Sequence, residues 1–127
     1  MELNKKLYTE LLEQAKNNPR LRQAFDLRTS SEDGSQRMLN ALLPGTEVPI
    51  HRHTASAETA VILYGHIDEI YFDAEGNELG RHPLYTGDGL QIPVGHFHTV
   101  EVHEPSILLE IKDGAYAPAK PEDMILK

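Results

Sequence analysis

From residue 37 to residue 112 the sequence falls into short runs, each stopped within a few residues by glycine, proline, asparagine or aspartate. The run 37–43 ends at Pro44-Gly45, and the run 59–64 ends at Gly65. Runs 67–72 and 78–83 flank Asp73-Ala74-Glu75-Gly76-Asn77, which has the composition of a hairpin loop. Run 89–92 leads into Pro93-Val94-Gly95, and Glu104-Pro105 divides runs 98–102 and 106–112. Runs of this length suit strands and are short for helices. No segment of helical period separates them, which argues against a parallel sheet with crossover helices and for an antiparallel sandwich or barrel.

The flanks differ. Leu3, Leu7, Leu11, Leu12 and Ala15 recur at three- and four-residue steps, which predicts a helix over residues 3–17 with one apolar stripe turned to the main body. Asn17, Asn18 and Pro19 end it. Residues 20–36 read as polar and irregular, and residues 113–127, with Gly114, Pro118 and Pro121, as a surface tail. The expectation is one domain, 1–127, with the barrel over 37–112.

Composition narrows the chemistry. A net charge of -8 without a basic stripe disfavours nucleic acid. There is no cysteine, so disulfides, thiolate metal sites and a cysteine nucleophile are ruled out. The first residues lack the apolar stretch of a signal peptide, and no run reaches membrane-spanning length. The expectation is a cytoplasmic protein with a small-molecule ligand and neither nucleic acid nor membrane as partner.

The seven histidines cluster. His51 and His53 are two apart, so in a strand both rings point to one face and can reach one ion. Glu58 follows after a short polar stretch. His98 opens an alternating run in which His98, Val100 and Val102 share one face and Thr99, Glu101 and His103 the other. The first set suits a barrel interior and the second suits solvent. Nitrogen and carboxylate oxygen donors of this kind suit zinc, iron, nickel, manganese or copper.

The spacing carries a resemblance. Gly45, five residues, His51, one residue, His53, four residues, Glu58, six residues and Gly65 follow the first cupin motif. Gly87, five residues, Pro93, one residue, Gly95, two residues and His98 follow the second, which usually ends in asparagine where this chain has Val102. The chain resembles the cupin superfamily, which implies an all-β fold: the double-stranded β-helix, or jelly-roll barrel, here with a short N-terminal helix. It also implies one divalent transition metal ion (Zn, Fe, Ni or Mn) on His51, His53, Glu58 and His98. Gln36-Arg37-Met38-Leu39-Asn40-Ala41-Leu42, Pro44-Gly45, His51-Arg52-His53, Glu58-Thr59 and Leu109-Glu110-Ile111-Lys112-Asp113-Gly114, with Tyr116 and Pro118, are similar to the WbuC family of bacterial cupin metalloproteins. Members of that family are similar to proteins encoded near surface-polysaccharide genes, which implies sugar chemistry and polysaccharide biosynthesis only weakly. Cupins commonly pair through barrel faces, which implies a homodimer.

His96 shares parity with His98 and is the candidate general base, with a place at the rim of the site. His66, His82 and His103 read as surface histidines. Glu110 and Lys112 alternate with Leu109 and Ile111, and the expectation is a solvated face. Arg37 and Asn40 lie on opposite faces of one strand, and Arg52, between two inward histidines, should point outward. The functional expectation is a metal-dependent isomerase, epimerase or oxygenase acting on a small polar molecule. The alternatives are a cupin dioxygenase and a non-catalytic metal- or ligand-binding module.

Overall fold

A computed structural model describes residues 1–126. Helix α1, Lys5–Lys16, is capped by the Asn4 side chain, which accepts a hydrogen bond from the Leu7 backbone N–H. Its apolar stripe docks as the periodicity predicts: Leu11 and Ala15 are buried against Leu39, Ala41 and Ile107. Among the described residues no helix is long and apolar enough to cross a membrane.

The strands are β1 (Arg22–Asp26), β2 (Ser35–Leu42), β3 (Ile50–His51), β4 (Glu58–Phe72), β5 (Glu78–Tyr85), β6 (Gly89–Ile92), β7 (Phe97–Asp113) and β8 (Met124–Ile125), all paired antiparallel. β4 and β7 each run through two layers. In the first layer the order is β1, β2, the second half of β7, the first half of β4, then β6. In the second it is β8, β3, the first half of β7, the second half of β4, then β5. The layers face each other across a shared core of Leu42, Ile62, Ile67, Leu84, Val102 and Leu108, with α1 outside the first layer. A smaller cluster of Ile50, Ile70, Phe72 and Phe97 covers the outer side of the second layer. This is the jelly-roll architecture expected from the strand punctuation.

Three local readings are corrected. Gly65 does not end a strand: it bends β4 at φ +108°, where pairing with β7 shifts register, and the strand continues. Its own N–H donates to Thr86 Oγ1, and Ser106 Oγ accepts from the His66 N–H, so the bend leaves no orphaned donor. Glu104-Pro105 faces the same bend and likewise interrupts no strand. Within 20–36, read as irregular, residues Arg22–Asp26 pair with β2 as an edge strand, and Phe25 reaches the apolar cluster under α1. The barrel therefore begins at β1, ahead of residue 37. The tail carries a 3-10 turn at Pro121–Asp123 and closes with β8 paired to β3.

Candidate metal centre

β3 is only two residues long, but it places His51 directly opposite His98 of β7. His53 follows past Arg52, and strand alternation sends Arg52 the other way. There its guanidinium sits over the Phe97 ring, 4.8 Å from the centroid, and pairs with Asp123 at 3.0 Å. The ring centroids of His51, His53 and His98 stand 4.4–5.7 Å apart. One nitrogen from each lies within 4.8 Å of the others, close enough to share an ion.

Hydrogen bonds on the far side of two rings fix which nitrogen is free. His51 Nδ1 lies 2.8 Å from the Pro49 carbonyl oxygen, which can only accept, so Nδ1 carries the proton and Nε2 is left as donor to a metal. His98 Nδ1 lies 2.6 Å from Glu69 Oε1, deep in the barrel. The Nε2 atoms of His53 and His98 are buried without a hydrogen-bond partner. Orphaned buried nitrogens are rare because each forfeits its solvation. Two of them converging in a three-histidine cluster fit a bound cation that accepts their lone pairs.

Glu58, the first residue of β4, lies at the edge of this cluster. Its Oε1 is 3.3 Å from His53 Nε2 and 3.3 Å from Lys112 Nζ. It does not fall within the close group formed by the three rings. Burial alone would push the Glu58 carboxyl up; the adjacent His53 ring and the Lys112 charge overcome this and hold it at about 2. Burial, reinforced by His51, holds His98 at about 3, and burial lowers His51 as well. Both rings are thus neutral near pH 7, the form that binds metal. Burial, with the neighbouring Glu58 and Glu110 charges, pushes Glu69 up.

A cavity of about 210 Å³ opens beneath the cluster between the two layers. Val100 lines it beside His98, as the alternation of 98, 100 and 102 requires, and Leu42, Ala60 and Leu108 supply apolar wall. Val102, which replaces the usual asparagine, is buried in the barrel core. The polar wall departs from the sequence reading. Glu110 lines the cavity, its Oε1 accepting from Asn40 Nδ2 at 3.0 Å, and the Lys112 side chain is 18% exposed and turned to Glu58. The expected solvated face is the barrel interior, because Leu109, on the opposite face, is covered by α1. Asn40 points inward, while Arg37 bonds Asp33 and Ser35. Burial and the Glu58 charge push Glu110 up to about 7, against the lowering influence of Lys112 and Asn40.

His96 is exposed on the turn before β7, with its ring edge-on to Tyr71 at 5.9 Å. It lines neither the inner cavity nor the groove outside His51 and His53, so the structure does not bring the candidate base to the cluster. Sequence reasoning missed Glu69 altogether. Its signal was present in the alternation of Ile67, Glu69 and Tyr71, which places a carboxylate on the same face as buried Ile67. His82 is exposed as expected, but His66 is half-buried.

Comparison with known proteins fixes the fold. The family model described as "Domain of unknown function (DUF6016)" matches residues 3–84. No curated protein matches the chain. Among solved structures, KdgF from Halomonas sp. superposes with a TM-score of 0.62 at 16% identity, covering 78% of this chain and 84% of its own. A cupin superfamily protein from Desulfitobacterium hafniense gives 0.61 at 20% identity, covering 72% of this chain and 76% of its own. Oxalate decarboxylase from Bacillus subtilis, described for its Mn(II) centres, gives 0.60 at 21% identity, covering 76% of this chain but 26% of its own. The architecture is the cupin fold.

Proposed function

This chain belongs to the family described as a domain of unknown function, DUF6016, and we propose that it is a divalent-metal cupin enzyme acting on a small, hydroxyl-rich molecule. The observation that carries the reading is the pair of buried, unpartnered Nε2 atoms of His53 and His98 above a cavity of mixed polarity. His51, His53 and His98 would hold the ion, with Glu58 turning in as the fourth ligand. Nitrogen and oxygen donors without sulfur accommodate Mn, Fe, Ni or Zn. Once bound, such an ion supplies Lewis-acid polarisation of a substrate oxygen.

The surrounding residues have separable tasks. The Pro49 carbonyl and Glu69 orient His51 and His98 through Nδ1. Lys112 balances the Glu58 charge. Glu110, raised to about 7, can hold or release a proton near neutrality on the cavity wall. Asn40 offers a second polar group beside it, and Arg22 lines the same cavity. A wall of alternating carboxyl, amide and apolar groups suits a sugar derivative, in keeping with the resemblance to the WbuC family. The cavity is too small for a polymer.

The test is reconstitution. Metal-stripped protein is loaded separately with Mn(II), Fe(II), Ni(II) and Zn(II), and turnover is followed on a panel of sugar phosphates and nucleotide sugars. Metal-dependent turnover lost in both His53→Ala and Glu110→Gln supports the reading. Full metal content in His98→Ala would overturn the site, and metal binding without turnover on any panel member would overturn the enzymatic reading.

A further inference from the structure

β7 carries a second histidine, His103, five residues beyond His98. Five is odd, so alternation turns His103 to the outer face of the sheet while His98 faces in. On β4, His66 and Asp68 are two apart, as His51 and His53 are on the inner side. The register shift between His66 and Ile67 brings this pair beside His103. One ligand atom from each of His66, Asp68 and His103 lies within 4.8 Å of the other two.

Each group is held in place by something other than an ion. The His66 ring stacks on Tyr85 with centroids 4.1 Å apart and planes 11° from parallel, and lies 4.6 Å from the His103 ring. His66 Nε2 is buried and has no hydrogen-bond partner, the third such nitrogen among the described residues after those of His53 and His98. His103 Nε2 stands 3.0 Å from Asp68 Oδ2, and Arg81 reaches the same oxygen at 3.5 Å, which leaves Oδ1 open. Arg81 is also engaged by Glu78 and Glu101, so its charge is matched without Asp68. Two ligands each about 2.0–2.2 Å from a zinc ion stand roughly 3–3.5 Å apart, which is the spacing His103 and Asp68 already have.

We propose that His66, Asp68 and His103 form a second divalent-metal site on the outer face of the barrel, separate from the inner cluster. Two imidazoles and one carboxylate select a borderline cation such as Zn(II) over Ca(II) or Mg(II). Solvent completes the shell, since the His103 side chain is 35% exposed. An ion here ties β4 to β7 at the bend where their regular pairing is interrupted.

Calorimetric titration of the metal-stripped full-length chain with Zn(II) tests this, with the His66 and His103 ring-proton resonances followed in parallel. Wild type should take two equivalents, His103→Ala one and His53→Ala one, and Asp68→Asn should weaken one of the two about tenfold or more. In His53→Ala the His66 and His103 resonances should still shift with the remaining equivalent. Because His103 is exposed, its removal leaves the fold in place. A wild type that binds a single equivalent, lost in His53→Ala and kept in His103→Ala, overturns the outer site and leaves the inner one standing. A single equivalent lost only in His103→Ala supports the outer site and defeats the inner one. Two equivalents retained in His103→Ala overturn the outer site.

Discussion

Glu69 Oε1 stands 2.6 Å from His98 Nδ1, with both side chains no more than 3% exposed. A carboxyl in that position orients the ring and sets which nitrogen faces the cavity. Glu69→Gln keeps the size of the group but weakens the contact. Metal affinity should fall about 10–100-fold while the circular dichroism spectrum is unchanged. An affinity equal to that of wild type would mean that the buried pair serves packing alone.

The acid response of the metal-free protein follows from the buried rings. In the unfolded chain His98 titrates near 6.5; in the fold it is held at about 3, and His51 is also lowered. Between those values the unfolded state binds more protons, so stability rises with pH and is lost as pH falls from 6.5 toward 3. His98 alone contributes a slope of up to about 1.4 kcal/mol per pH unit. Urea midpoints of stripped protein at pH 7, 6 and 5 should decline, and His98→Gln should flatten the decline.

Gly65→Ala should be among the most damaging substitutions in the chain. A Cβ there would stand 2.2 Å from Ser106 Oγ and 2.6 Å from the Pro105 carbonyl oxygen, at a φ of +108° that side chains rarely adopt. Both neighbours belong to the bend of β7, so neither yields without moving the strand. A loss of at least about 2 kcal/mol is expected from urea denaturation.

The tail is fastened through Arg52. Its backbone N–H donates to the Asp123 carbonyl at 2.9 Å, and its side chain pairs with the Asp123 carboxylate. Arg52→Ala removes the ion pair and the stacking on Phe97 but keeps the backbone bond. Cleavage by chymotrypsin after Tyr116, which is exposed in the same tail, should become several-fold faster with little change in melting temperature. An unchanged cleavage rate would show that β8 pairing alone holds the segment.

Much of this arrangement is legible in the sequence, and the parts that are not share a cause. The spacing of His51 and His53, and of His98 with Val100 and Val102, reports a shared face within each segment, because strand alternation is a local rule. Whether that face is inside depends on what covers the other one. For β7 the answer comes from Leu11 and Ala15 of α1, nearly a hundred residues away, so Glu110 and Lys112 read as solvated when Glu110 lines the cavity and Lys112 turns to Glu58. Gly65 reads as a stop because the same residue serves turns and bulges, and only pairing with Ser106 and Pro105 distinguishes them. Arg22–Asp26 has too few apolar residues to announce a strand; β2 recruits it as an edge.

The continuity of β4 and β7 through both layers bears on how the molecule opens. A sandwich whose layers are joined only by loops can let one sheet breathe while the other stays closed. Here the middle of each sheet is the same pair of covalent strands, paired from Glu58 with Lys112 at one end to Phe72 with Phe97 at the other. Separating either layer strains the other. Amide hydrogens along β4 and β7 should therefore exchange with solvent as one slow cooperative unit, and those of the outer strands β1 and β5 in faster, independent openings.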